Sequence, residues 1–130
     1  MAESSPVIQI ILQRSTGDCA LVALAMFLGR SYEDVLAVAG SLDEQVHRHG
    51  LYIPQILKIA KRLGTPLCRR KHWDLETSEG ILDLASTINA DAHVVVLKAG
   101  LIFDTEGTVW SPEVYLLNEY YKPMSLLERK

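Results

Sequence analysis

The sequence lacks the features of a secreted, membrane-spanning or nucleic-acid-binding protein. It has 2 cysteines in 130 residues, too few for the disulfide framework of a small secreted domain. No apolar stretch reaches the ~20 residues that a membrane span needs, and the N-terminus lacks the basic start of a signal peptide. The net charge is −3, so no basic excess indicates nucleic acid as a partner. We therefore expect a cytoplasmic protein with two free thiols, although delivery elsewhere by a dedicated system stays open.

The length and composition predict a globular domain. Hydrophobic residues make up 48% of the chain, which is a normal value for a folded protein and excludes extensive disorder. A chain of 130 residues can enclose one hydrophobic core. We therefore predict one domain over residues 1–130, and the sequence leaves its oligomeric state open.

A cysteine at the start of an apolar helix is the most informative local feature. Cys19 follows a turn-and-cap sequence, Thr16–Asp18, and begins the apolar run Ala20–Leu28, after which Gly29 can cap the helix. A thiol at a helix N-terminus lies near the positive end of the macrodipole, which favours the reactive thiolate. Cys19 is therefore a candidate nucleophile, although a lone cysteine here is more often a small buried residue.

Helices dominate the first half of the predicted structure and strands the second half. Further helices are predicted at Tyr32–Ala39, at Pro54–Leu63 and from Ser111 to about Tyr121, where Pro123 would end the last one. Strands are predicted at Thr65–Lys71, Gly80–Leu84, His93–Leu97, Leu101–Thr105 and Thr108–Trp110. This order of elements indicates an α+β domain with an antiparallel sheet.

A hairpin is predicted around Ala99 and Gly100, and the length of its loop decides whether His93 and Asp104 lie on the same face. If these two residues form the whole loop, His93 and Asp104 lie on the same face of the hairpin as diagonal neighbours, ~7–8 Å apart. A three-residue loop would instead place them on opposite faces. Ala-Gly is not the preferred sequence for a two-residue hairpin turn, so the sequence leaves both pairings open.

Three segments together resemble a known family. They are Gln13 followed six positions later by Cys19, the run His93-Val-Val-Val-Leu, and Leu101-Ile-Phe-Asp104. They resemble the bacteriocin-processing peptidases that cut after double-glycine leaders, which are papain-like cysteine peptidases. The resemblance implies a papain-like α+β fold with N-terminal helices packed on a C-terminal antiparallel sheet. The chain departs from the family in having Ala20 after the cysteine, Thr105 after the aspartate, and no transporter.

The resemblance also implies roles for four residues. Cys19 would be the nucleophile, His93 the base, and Asp104 the group that orients the imidazole. Gln13 would donate to the oxyanion hole together with the backbone N–H of Cys19. The implied function is cysteine-dependent hydrolysis of a peptide or isopeptide bond in a protein or peptide substrate, with no cofactor.

Two other functions remain open at this stage. The same triad could perform acyl transfer or deamidation of a protein side chain, or the fold could serve as a non-catalytic binding or inhibitory module. No metal site is predicted, because His47-x-His49 and Cys68-x3-His72 lack further ligands. The chain would suit a bacterial or phage accessory protein.

Overall fold

A computed structural model describes residues 8–13, 18–42, 53–88, 92–117 and 119–130. Within them, four helices are formed by Cys19–Leu28 (α1), Tyr32–Leu42 (α2), Ile53–Arg62 (α3) and Pro112–Tyr115 (α4). The strands are Leu67–Arg70 (β1), Gly80–Ser86 (β2), Ala92–Lys98 (β3), Leu101–Phe103 (β4), Val109–Trp110 (β5) and Tyr121–Arg129 (β6).

The strands form one six-stranded sheet with the order β1-β6-β2-β3-β4-β5, and each of its pairs is antiparallel. Its central strands are buried on both faces. The two faces of β3 belong to two hydrophobic cores. Val94 and Val96 lie in the larger core, with residues of α1, α2 and α3. Val95 and Leu97 lie in the smaller core on the other face, with Trp73 and Tyr115. The α+β fold predicted from the sequence, with N-terminal helices packed on an antiparallel sheet, is confirmed.

Helix α1 is the central helix of the larger core. Every residue from Ala20 to Phe27 is buried, which explains why this stretch is apolar on all sides and not along one stripe. Gly29 ends the helix in a left-handed conformation with φ 68°, as expected for a glycine C-cap. The helix packs on β3, so its first residue, Cys19, lies close to the strand that carries His93.

The C-terminal segment differs from its prediction. Ser111 does cap a helix, and its side chain accepts a hydrogen bond from the backbone N–H of Val114, but the helix ends at Tyr115. The next strand, β6, pairs with both β1 and β2 and was not predicted at all. Pro123 lies inside that strand, beside a register shift opposite Asp83 and Leu84, and such irregularities can accommodate a proline.

The hairpin between β3 and β4 settles the pairing that the sequence left open. Lys98 pairs with Leu101, so Ala99 and Gly100 form a two-residue loop. Both have positive φ, 54° and 75°, as a type I′ turn requires. Ala99 therefore adopts a conformation that is uncommon for a residue with a Cβ.

The part of the chain that the structure describes contains no helix long and apolar enough to cross a membrane.

Candidate active site

The candidate site begins at the N-terminus of α1. Asp18 occupies the N-cap position, but its side chain makes no capping hydrogen bond to the helix backbone. Cys19 is the first helical residue and is partly exposed, with a free thiol. The partly exposed Cys19 therefore begins a helix whose next eight residues are buried.

His93 and Asp104 lie together, as the two-residue hairpin loop requires. The distance between His93 Nε2 and Asp104 Oδ1 is 2.9 Å, and both side chains are only 14% exposed. The Asp104 carboxylate also accepts a hydrogen bond of 2.7 Å from the backbone N–H of Thr105. A carboxylate in this position orients an imidazole and stabilises its protonated form.

The pKa values of the pair reflect these contacts. Burial, the largest influence, lowers the pKa of His93, but hydrogen bonds and charge interactions with Asp104 and Cys19 outweigh it and raise the pKa to about 9. Burial raises the pKa of Asp104, but the hydrogen bond and charge of His93 leave it below its ordinary value. Cys19 is therefore one of the two residues whose interactions raise the pKa of His93.

Gln13 is held by contacts on both sides of its side-chain amide. Its Oε1 accepts a hydrogen bond from the Thr105 hydroxyl, and its Nε2 donates to Asp18 Oδ1 at 3.2 Å. Its backbone N–H donates to the carbonyl oxygen of Thr105 at 2.9 Å. The structure therefore places Gln13 between the start of α1 and the residue that follows Asp104.

Aromatic residues surround the imidazole and the carboxylate. Tyr121 stacks on His93, with ring centroids 5.3 Å apart, and the Tyr115 hydroxyl lies 3.5 Å from Asp104 Oδ2. Burial and the charge of Asp104 raise the pKa of Tyr115 above its ordinary value. A cavity of about 220 Å³ beside Asp104 is lined by further aromatic and aliphatic side chains, among them Trp110 and Tyr120.

The sequence predicts Gln13, Cys19, His93 and Asp104 as site residues, but it does not single out several residues that contact them in the structure. Asp18 was interpreted only as a cap, Thr105 only as a strand end, and Tyr121 as part of a helix. The sequence signal for two of them is their position in the chain: Asp18 directly precedes Cys19, and Thr105 directly follows Asp104. His47 and His49 lie outside the described residues. Within the described ranges, no three His, Cys, Asp or Glu side chains gather as metal ligands would.

Comparison with solved structures finds the same fold in two peptidase domains. One is the peptidase domain of Streptococcus ComA, a bifunctional ABC transporter of a quorum-sensing pathway, with 16% identity, TM-score 0.63, and coverage of 95% of this chain and 100% of that chain. The other is a double-glycine-motif protease from an AMS/PCAT transporter in complex with the leader peptide. It is 18% identical, with a TM-score of 0.60, and the match covers 95% of this chain and 93% of that chain.

These structures confirm the resemblance drawn from the sequence at the level of the fold. No protein-family model matches the chain, and no curated protein matches it significantly.

Proposed function

We propose that this chain is a cysteine peptidase in which Cys19, His93 and Asp104 form the catalytic triad. The observation that carries the proposal is the position of His93, which interacts with both Asp104 and Cys19. Since Asp104 occupies Nε2, Nδ1 is the ring nitrogen that would exchange a proton with the thiol. The shared fold with two peptidase domains supports the same conclusion.

The reaction would proceed through a thioester. The Cys19 sulfur attacks the carbonyl carbon, and the resulting oxyanion accepts hydrogen bonds from the backbone N–H of Cys19 and from Gln13 Nε2. A primary amide carries two N–H groups, so Gln13 can donate to Asp18 and to a second acceptor. The His93 imidazolium then protonates the leaving amine as the C–N bond breaks. Water, deprotonated by His93, hydrolyses the thioester and releases the carboxylic acid.

The substrate would be a peptide with small residues before the cleaved bond. The protease from the AMS/PCAT transporter is a double-glycine-motif protease, and its structure is a complex with the leader peptide. A double-glycine leader peptide is therefore the first substrate to assay on this chain.

The test compares the wild type with Cys19→Ala, and uses Cys68→Ala as the matched control because Cys68 lies in β1, away from the triad. We expect cleavage of the leader peptide, and labelling by a cysteine-directed acylating probe, in the wild type and the control but not in Cys19→Ala. Equal labelling of all three proteins would reject Cys19 as the nucleophile. Release of ammonia without chain cleavage would identify deamidation as the reaction.

A further inference from the structure

A continuous set of hydrogen bonds joins Gln13 to the His93–Asp104 pair through Thr105. Thr105 is fully buried. Its backbone N–H donates to the Asp104 oxygen that also contacts His93, and its hydroxyl donates to Gln13 Oε1. Its carbonyl oxygen accepts the backbone N–H of Gln13. Thr105 therefore contacts both the orienting carboxylate and the amide of the proposed oxyanion donor.

The opposite side of the Gln13 amide is held by a second buried group. Asp18 is fully buried, and its carboxylate accepts hydrogen bonds from Gln13 Nε2 at 3.2 Å and from the Tyr32 hydroxyl at 2.9 Å. The nitrogen end of the Gln13 amide faces Asp18, which accepts the hydrogen bond from it. The oxygen end must then face Thr105, whose hydroxyl is able to donate.

We propose that Thr105 is a positioning residue that holds the Gln13 amide ready to stabilise the oxyanion, with Asp18 as its second anchor. The inference rests on the proposed function, because it assigns Gln13 the role of oxyanion donor.

The physical reason is that oxyanion stabilisation depends on donors that are oriented before the reaction. A glutamine side chain has several rotatable bonds, and losing the Thr105 hydroxyl would leave Oε1 without this donor. The amide would then populate other orientations. A donor misplaced by about 1 Å can reduce turnover by up to ~10²-fold, without any change in the nucleophile or the base.

The first test separates the oxyanion hole from the thiol. Thr105→Val preserves the shape of the side chain and removes the hydroxyl, Thr105→Ser preserves the hydroxyl, and Thr108→Val is a control at an exposed threonine in the same loop. Alkylation of Cys19 by iodoacetamide forms no oxyanion, whereas peptide hydrolysis does. We expect Thr105→Val to lower kcat by about 10- to 100-fold and to leave the alkylation rate within twofold of wild type. Serine at position 105 should restore most of the turnover.

The second test asks whether Thr105 acts through Gln13. Gln13→Ala alone should lower turnover by ~10²–10³-fold. Adding Thr105→Val to Gln13→Ala should then lower turnover little further. Fully multiplicative effects of the two substitutions would overturn the proposal, as would equal loss of hydrolysis and alkylation in Thr105→Val.

A third measurement does not depend on activity. The side-chain NH₂ signals of Gln13 should show slow amide rotation and low mobility by NMR in the wild type and in Thr105→Ser, and increased mobility in Thr105→Val. A mobile Gln13 amide in the wild type would overturn the proposal. If instead the amide is ordered but the wild type cleaves no peptide, the positioning contact stands and the proposed peptidase function fails.

Discussion

The ring of Tyr121 stacks on the imidazole of His93, with an angle of 29° between the two planes. The contact joins the first residue of β6 to the second residue of β3, and β2 lies between these strands. Since the ring covers one side of the imidazole, it restricts the orientation of His93.

Tyr121→Leu should therefore reduce turnover while the fold persists. Removal of the aromatic contact should also lower the free energy of unfolding by about 0.5–1.5 kcal/mol beyond the change in buried area. Tyr121→Phe keeps the ring and should retain most of the turnover. Denaturant unfolding and peptide hydrolysis measure the two effects, and equal turnover in all three proteins would show that the stack does not orient His93.

Asp104→Asn tests the role of the carboxylate. The substitution keeps the side-chain shape but removes the charge that stabilises protonated His93. We expect the His93 pKa to fall below its wild-type value of about 9, and turnover to fall less than in Cys19→Ala. NMR titration of the His93 ring protons in both proteins measures the pKa. An identical pKa would show that Asp104 does not act through His93.

The elevated His93 pKa also predicts how stability changes with pH. The pKa of His93 rises from 6.5 to about 9 on folding. The stabilisation that protonated His93 contributes is therefore complete below pH 6.5 and is lost as pH rises through about 9. That contribution is at most roughly 3 kcal/mol. The free energy of unfolding should therefore fall between pH 6.5 and 10, and fall less in His93→Gln. The same decrease in both proteins would assign it to other groups.

Cys19 should be the more reactive of the two thiols. It begins a helix and interacts with His93, whereas Cys68 lies within β1, paired with Glu128. Mass spectrometry of the protein after brief exposure to iodoacetamide at pH 6 to 7 should show faster modification of Cys19. His93→Gln should slow modification of Cys19 and leave Cys68 unchanged. Faster reaction at Cys68 in the wild type would contradict the assignment.

Gly80→Ala should be strongly destabilising because of the packing of β2 against β6. A Cβ at residue 80 would lie 2.2 Å from the backbone oxygen of Leu127, and a paired strand cannot move away easily. We expect a loss of about 1–3 kcal/mol or more. Gly40→Ala, in α2 with nothing within 4 Å of the added Cβ, should instead stabilise by about 0.5–1 kcal/mol. Thermal unfolding compares the two variants, and similar melting temperatures would contradict the steric argument.

Local sequence determined the elements whose signals lie close together in the chain. The apolar run after Cys19 and the glycine at position 29 specify α1, because a fully buried helix needs apolar residues on every side and a terminator with positive φ. The hairpin of β3 and β4 has its apolar runs beside a two-residue loop. Because His93 and Asp104 flank this short hairpin, the local sequence is enough to predict that they can lie on the same face.

Tertiary structure decided β6 and the hydrogen bonds around Gln13. Residues 121–129 contain a proline and weak alternation, so β6 forms because β1 and β2 pair with it on both sides. The Thr105 hydroxyl and Gln13 Oε1 are 92 residues apart in sequence, and only the folded sheet brings them together. Sequence motifs thus identified the candidate nucleophile, base, orienting acid and oxyanion donor. The groups that hold them in place depend on long-range packing, which no local pattern records.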